Sequence, residues 1–104
     1  MSLSNPNSMF EVPLPAMYGE LTSFQRKAVR EKYAREQNWL CFFCKASLFS
    51  KPIQKVQDAK INWDLFPPNF TQYPVHLQHS HETGLTEGAV HALCNAYWWQ
   101  YHRR

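Results

Sequence analysis

Three cysteines and one histidine form two short pairs with equal internal spacing. Cys41-x-x-Cys44 lies near the middle of the chain, and His91-x-x-Cys94 lies near its end. Zinc binds four thiolate or imidazole ligands in a tetrahedron, and each short pair can place two donor atoms on one side of the ion. The spacing therefore predicts a structural Zn²⁺ site that joins two distant segments, with the ligands Cys41, Cys44, His91 and Cys94. The alternative is three buried free cysteines beside an unrelated histidine.

A second group of polar residues lies close to the later pair. His76, His79 and His81 fall within a few positions of one another, and Asn95 directly follows Cys94. Hydrolysis of a phosphodiester needs a group that activates water and groups that stabilise the charge of the transition state. Histidine, with an ordinary pKa of about 6.5, can accept a proton at neutral pH. The residue types in this segment are therefore suited to cleavage of a phosphodiester bond.

The segment that contains these residues also resembles a known family. It reads H-L-Q-H-S-H-E-T-G and then V-H-A-L-C-N, which resembles the HNH endonucleases of the ββα-metal superfamily, in particular the branch similar to phage recombination endonuclease VII. Both ligand pairs, the histidine cluster and the final asparagine occur in the order of that branch, over residues 38–102. The resemblance implies an α+β fold, namely a small zinc-stapled ββα-metal (HNH) domain with an N-terminal helix. It also implies a metal-dependent endonuclease that nicks or cleaves DNA.

The resemblance assigns expected roles to individual residues. His79 would be the general base that activates water, and His81 would assist it or contact the substrate. Asn95 and Gln78, the strand residue before the base, would hold a catalytic Mg²⁺ or Mn²⁺. The family usually has a carboxylate at the position of Gln78, and a neutral amide binds a hard cation less strongly. His91 stands where a cysteine is more usual among the zinc ligands, and zinc accepts either.

Local patterns predict the elements that carry these residues. Thr22 and Gln25 form a capping box, which predicts a helix over 23–37. The side of this helix that we expect to be buried consists of Leu21, Phe24, Ala28 and Tyr33. Turn residues and apolar spacing further predict a short helix over 54–60, strands over 75–78 and 86–90, and a helix over 92–102.

The first predicted helix carries the main positive surface of the chain. The formal net charge is only +3, but cations are concentrated on this helix, at Arg26, Lys27, Arg30, Lys32 and Arg35. We expect Arg26, Lys27 and Arg30 to contact the phosphate backbone of DNA without reading its sequence. The alternative is a solvated helix face with no nucleic-acid partner.

The size of the chain indicates one small domain. A chain of 104 residues can bury only a modest core, so a bound metal would add useful stability. We predict an extended N-terminal segment over 1–20, where prolines prevent a helix, and a single HNH-like zinc-bound domain over 21–104. The odd cysteine count, the lack of a secretory signal and the lack of a long apolar run predict a cytoplasmic protein without a membrane contact.

Three classes of function remain open from the sequence. The first is the HNH nuclease, of a kind that phages or mobile elements encode, acting on DNA. The second is a non-catalytic zinc-stapled nucleic-acid binding module of the same fold, which the neutral Gln78 favours. The third is a zinc-bound protein-interaction domain. Members of the resembling branch can dimerise through helices outside the motif, so a homodimer is also considered.

Overall fold

Two α-helices, a two-stranded hairpin and a final α-helix follow one another in the structure, a computed structural model that describes residues 12–102. The elements are α1 (Ser23–Glu36), α2 (Gln54–Asp58), β1 (Val75–His79), β2 (Thr86–His91) and α3 (Ala92–His102), with 3₁₀ turns at Tyr18–Glu20 and Trp63–Leu65. The protein is therefore a small α+β chain with a two-stranded sheet, as the sequence predicts. The order β1, β2, α3 agrees with the expected ββα order, while membership of the HNH superfamily stays a prediction. Residues 1–11 of the predicted N-terminal segment and residues 103 and 104 of the predicted domain lie outside the described residues.

The capping box predicted at the start of α1 is present. Gln25 donates its backbone N–H to the Thr22 hydroxyl (3.1 Å), and Thr22 donates its own to the Gln25 side-chain oxygen (2.9 Å). These bonds satisfy N–H groups that have no partner within the first turn. The helix buries Val29 and Ala34. Phe24, which we expected to be buried, is 69% exposed, because it lies about 140° around the helix from Val29.

The end of α1 is tied to the second strand by one side chain. Gln37 donates from Nε2 to the Ala89 carbonyl (2.9 Å) and accepts the Ala89 N–H at Oε1 (2.9 Å). Its amide thus pairs with β2 much as a neighbouring strand would. Asn38 and Trp39 then adopt positive φ angles of 57° and 60°, which a right-handed helix does not allow. The chain reverses there and enters the segment that contains Cys41.

The two strands form an antiparallel hairpin with a bulge next to its turn. His76 pairs with Val90 and Gln78 with Gly88, but the register then shifts so that His79 is opposite Thr86. Glu87 is left as the extra residue of β2. A bulge of this kind bends the strand and changes the direction of the side chains next to it. The register shift lies beside the expected general base.

The segment before α1 packs against this hairpin. Thr86 donates its N–H to the Ala16 carbonyl (2.8 Å), and Tyr18 donates its N–H to the Gly84 carbonyl (2.9 Å). Ala16 donates in turn to the Thr86 hydroxyl (2.9 Å) and is buried. We expected this segment to be extended and loosely packed. The prolines do prevent a long helix, but the backbone groups around Ala16 remain free to pair with the hairpin, and residues 12–20 are held there.

The apolar core consists of two clusters. The larger one contains Ala34, Cys41, Leu48, Val56, Ala89, Val90, Cys94 and Tyr97. The smaller one contains Ala16, Leu21, Val29 and Leu77, and joins the N-terminal segment to α1 and β1. Two of the three cysteines therefore belong to the main core. No helix between residues 12 and 102 is both long and apolar enough to cross a membrane.

Gly88 occupies a position on β2 with no room for a side chain. A Cβ atom built there would lie 2.7 Å from Phe42 Cγ and 2.8 Å from Gln37 Oε1. Gly88→Ala should therefore lower the free energy of unfolding by about 1–3 kcal/mol, the usual cost of overpacking. The measurement is denaturant unfolding followed by circular dichroism. Gly19→Ala is the control, since a Cβ at Gly19 meets nothing within 4 Å. Equal stability of the two variants would contradict this packing.

Candidate metal centre and adjoining histidine site

The two predicted ligand pairs meet in the folded chain. The Sγ atoms of Cys41, Cys44 and Cys94 and a ring nitrogen of His91 all lie within 4.8 Å of one another. His91 Nδ1 is 3.5 Å from Cys44 Sγ and 3.6 Å from Cys94 Sγ. Ligand atoms at about 2.0–2.3 Å from a tetrahedral zinc ion are separated by about 3.5 Å. The four residues are positioned to bind a metal ion, and their donor atoms are compatible with structural zinc.

A tight turn presents the first pair of ligands. Cys41 donates its N–H to the Ala46 carbonyl (2.7 Å), and Lys45 donates its N–H to the Cys41 carbonyl (3.0 Å). Lys45 has a positive φ of 70°, which closes the turn. Phe42 donates its N–H to the Ala89 carbonyl (2.9 Å) and so fastens the turn to β2. The first pair therefore lies beside the strand that ends at His91.

The environment of His91 determines which ring nitrogen can bind the metal. Its Nε2 lies 2.8 Å from the Ser47 carbonyl and 3.0 Å from the Ser50 carbonyl. Carbonyl oxygens only accept hydrogen bonds, so Nε2 carries the hydrogen and donates to both. Nδ1 is then unprotonated and faces the sulfur atoms. Such outer hydrogen bonds fix the tautomer and the orientation of metal-binding histidines.

The sulfur atoms are close enough to affect each other's protonation. The hydrogen bond with Cys94 lowers the pKa of the Cys41 thiol to about 4, although burial opposes this. The same hydrogen bond raises the pKa of Cys94, and burial adds to that increase. Of the two neighbouring thiols, that of Cys41 therefore loses its proton more readily. A dication placed among them would favour the thiolate at each position, and the thiolate is the form of cysteine that binds metal.

Zinc binding should be coupled to folding. We expect the purified protein to carry close to one zinc ion per chain, and a chelator should unfold it cooperatively because the metal joins distant segments. Cys94→Ser should lose both zinc and folded structure, as measured by elemental analysis and circular dichroism. His81→Ala, which removes an exposed histidine outside the ligand set, is the control and should keep its zinc. A folded Cys94→Ser protein with full metal content would show that the ligand set is wrong.

The histidine cluster divides into two groups in the structure. His79 and His81 stack with their ring centroids 4.9 Å apart and their planes at 9°. His79 also stacks on Tyr18, with the ring centroids 3.9 Å apart and the planes at 9°. Asn95 instead places its amide nitrogen 3.1 Å from His76 Nδ1. The structure thus brings His79 together with His81, and Asn95 together with His76.

His79 lies in surroundings that favour its neutral form. Partial burial lowers the pKa of His79, and the charges of His81 and Arg26 lower it further. The charge of Glu87 opposes these effects. Burial likewise lowers the pKa of His76. A neutral imidazole can accept a proton, so His79 has the protonation state that a general base needs.

Gln78 is more deeply buried than the two histidines that follow it, His79 and His81. Its side chain is only 2% exposed, and its amide nitrogen donates to the His79 carbonyl (2.9 Å) and toward Glu87 Oε1 (3.4 Å). A cation at this position would have to compete with those hydrogen bonds. The role of Gln78 and Asn95 as cation ligands stays a prediction.

The basic residues of α1 occupy different environments. Lys27 is exposed, whereas Arg26 and Arg30 are half-buried on one face of the helix, four residues apart. Arg26 approaches Tyr18 and lowers the pKa of His79, and Arg30 lowers that of His76. The two arginines therefore place positive charge close to the two histidine groups.

Sequence reasoning missed two residues of this site. Tyr18 lies outside the motif, and no spacing rule connects it to His79. Glu87 comes to His79 only through the bulge between Gln78 and His79, although a lone acid on a strand next to the histidines was a signal.

Comparison of the chain with protein-family models, with curated proteins and with solved structures gives no match.

Proposed function

We propose that the protein is an HNH-type endonuclease that nicks or cleaves DNA, with His79 as the general base. The observation that carries the proposal is the position of His79, half-buried beside His81 and close to the charge of Arg26. A base and a cation beside each other are what attack on a phosphodiester requires. The second strand of the hairpin that holds His79 ends at His91, and α3 follows directly with Cys94. These are two of the four candidate metal ligands.

In the proposed reaction the residues of the chain have separate tasks. His79 accepts a proton from the attacking water at an unprotonated ring nitrogen. Arg26, Lys27 and Arg30 supply positive charge that attracts the phosphate backbone of DNA to this side of the chain. Zinc, when bound by the four ligands, supplies structural support and does not take part in the chemistry.

The residues expected to hold a catalytic Mg²⁺ or Mn²⁺ offer only neutral amide oxygens, and their amide nitrogens are already engaged in hydrogen bonds. Gln78 is buried and its amide faces Glu87, while the Asn95 amide donates to His76. These engaged amides favour the second candidate, a non-catalytic zinc-stapled module that binds nucleic acid. A plasmid-nicking assay with Mg²⁺ and with Mn²⁺ separates the two candidates. The nuclease converts supercoiled plasmid to nicked circles, whereas the module binds DNA with an affinity that falls steeply with salt and leaves it intact.

His79→Ala should abolish cleavage and leave the zinc content unchanged. The loss of a positioned general base costs about 10²–10⁴ in rate. The rate is measured by plasmid nicking and the zinc content by elemental analysis. His102→Ala is the control, because this histidine lies at the end of α3 against Phe43 and Tyr97. Full activity of His79→Ala would exclude His79 as the base.

The pH profile of the wild-type enzyme is a second measurement on the same residue. A base is active while it is neutral, and a lowered pKa keeps it neutral to lower pH. On the acidic side of the profile, the pH at which the rate falls to half should therefore lie below the ordinary histidine pKa of about 6.5. A midpoint above that value would contradict the role of the half-buried His79.

Gln78→Asp should lower the metal concentration needed for cleavage. The change places a second carboxylate beside Glu87, and hard divalent cations prefer charged oxygen ligands to an amide. The wild type should need more metal and should favour Mn²⁺ over Mg²⁺. The experiment is a metal titration of plasmid nicking. Gln78→Glu is the control, because it adds the same charge on a longer side chain. If neither variant gains activity and the wild type is inactive with both metals, the binding module is the better description.

A further inference from the structure

Four side chains form a continuous stack across the histidine site. The Arg26 guanidinium carbon lies 4.0 Å from the centre of the Tyr18 ring. Tyr18 stacks on His79 at 3.9 Å and 9°, and His79 stacks on His81 at 4.9 Å and 9°. Two nearly parallel rings therefore lie within stacking distance of the His79 imidazole. The ring edge, which carries the two nitrogen atoms, is left as its reactive side.

Tyr18 is held in this stack by its backbone as well as by its ring. Its N–H donates to the Gly84 carbonyl in the hairpin turn (2.9 Å). Arg26 donates from one terminal nitrogen to the Tyr18 carbonyl (3.2 Å). The preceding residue, Met17, bridges to Leu85. The tyrosine is thus fixed to the hairpin that carries His79 and to α1 at the same time.

Arg26 contributes to the stack despite an imperfect set of hydrogen bonds. Its Nε is buried and has no hydrogen-bond partner within residues 12–102. A buried donor without a partner is unfavourable, so other interactions must hold this guanidinium in place. The contact with the face of Tyr18 is such an interaction, since a cation is attracted to the face of an aromatic ring. Arg26 therefore stabilises Tyr18 by contact with the tyrosine ring, and so differs in role from the exposed Lys27.

We infer that Tyr18, supported by Arg26, is a positioning residue that fixes the plane of the His79 ring. Rotation of an imidazole about its second side-chain torsion is broad unless neighbouring groups restrict it. The close parallel contact with Tyr18, together with that of His81, restricts this rotation and so fixes the directions of the two ring nitrogens. A general base needs this orientation before substrate arrives. The catalytic consequence rests on the proposed function, but the orientation itself does not.

The first test measures orientation and needs no enzymatic activity. The probe is the aromatic NMR spectrum of the zinc-loaded wild-type protein, with His79 assigned by means of His79→Gln. We expect nuclear Overhauser contacts between the rings of Tyr18 and His79, and His79 ring protons shifted upfield by the tyrosine ring current. Tyr18→Phe should retain the shift and Tyr18→Leu should lose it. Tyr73→Leu, at a tyrosine that is 65% exposed, should change nothing.

The second test measures cleavage by the same variants. Tyr18→Leu should lower kcat by about 10- to 100-fold with little change in KM, as expected for a misplaced catalytic group. Tyr18→Phe should restore kcat to near the wild-type value, and all variants should retain zinc.

The two tests separate the inference from the proposed function. The absence of Tyr18–His79 contacts in the wild-type spectrum overturns the inference, even if Tyr18→Leu does not fold. A kcat that is unchanged in Tyr18→Leu, with the ring shift lost, also overturns it. Ring contacts that are present in a protein with no nicking activity support the fixed orientation and reject the nuclease.

Discussion

The arrangement of residues 12–102 depends on the meeting of two candidate ligand pairs in the core. The segment that follows α1 brings Cys41 and Cys44 to the point where β2 ends at His91 and α3 begins. These segments are far apart in sequence, and a chain of this size gains limited stability from apolar burial alone. A metal ion held by three sulfurs and one nitrogen would fix both at once. The hydrogen bonds from His91 to the carbonyls of Ser47 and Ser50 extend that order into the next loop.

The histidine site depends on this centre through the hairpin. β2 leads from Glu87, whose charge acts on His79, to the candidate metal ligand His91 within one strand. Asn95 lies one residue after the last ligand and therefore moves with the metal centre. The ring that stacks on His79 comes from a different part of the chain, because Tyr18 belongs to the segment before α1. The histidine site thus combines residues of the hairpin and of α3, which belong to the ββα segment, with Tyr18, which does not.

Much of this arrangement could be predicted from short-range patterns. Equal spacing predicted the four residues that come together as candidate metal ligands, since chelation by two short pairs is a local property of the sequence. The capping box at Thr22 identified the start of α1 for the same reason. The buried side of α1 was predicted less well. Phe24 is more apolar than Ala34, but the position of the hairpin decides which face is covered, and that is a tertiary effect.

The contacts around His79 could not be predicted for a related reason. The bulge that brings Glu87 close depends on the register of the two strands, and periodicity alone does not specify it. The stack of Tyr18 on His79 joins residues that no local rule connects. The amide of Gln78 was expected to face a cation, and its burial against Glu87 appears only in the folded chain. The contacts of the candidate site residues His79 and Gln78 are therefore what the sequence did not predict.

X-ray absorption at the zinc edge tests the central claim most directly, because it reports the ligand atoms without requiring any activity. The account predicts three sulfur neighbours at about 2.3 Å and one nitrogen neighbour at about 2.0–2.1 Å. That shell would confirm that Cys41, Cys44 and Cys94 bind the metal together with His91. A shell with two sulfurs or with mainly oxygen neighbours would contradict the ligand set, and with it the constraint that joins the two halves of the chain.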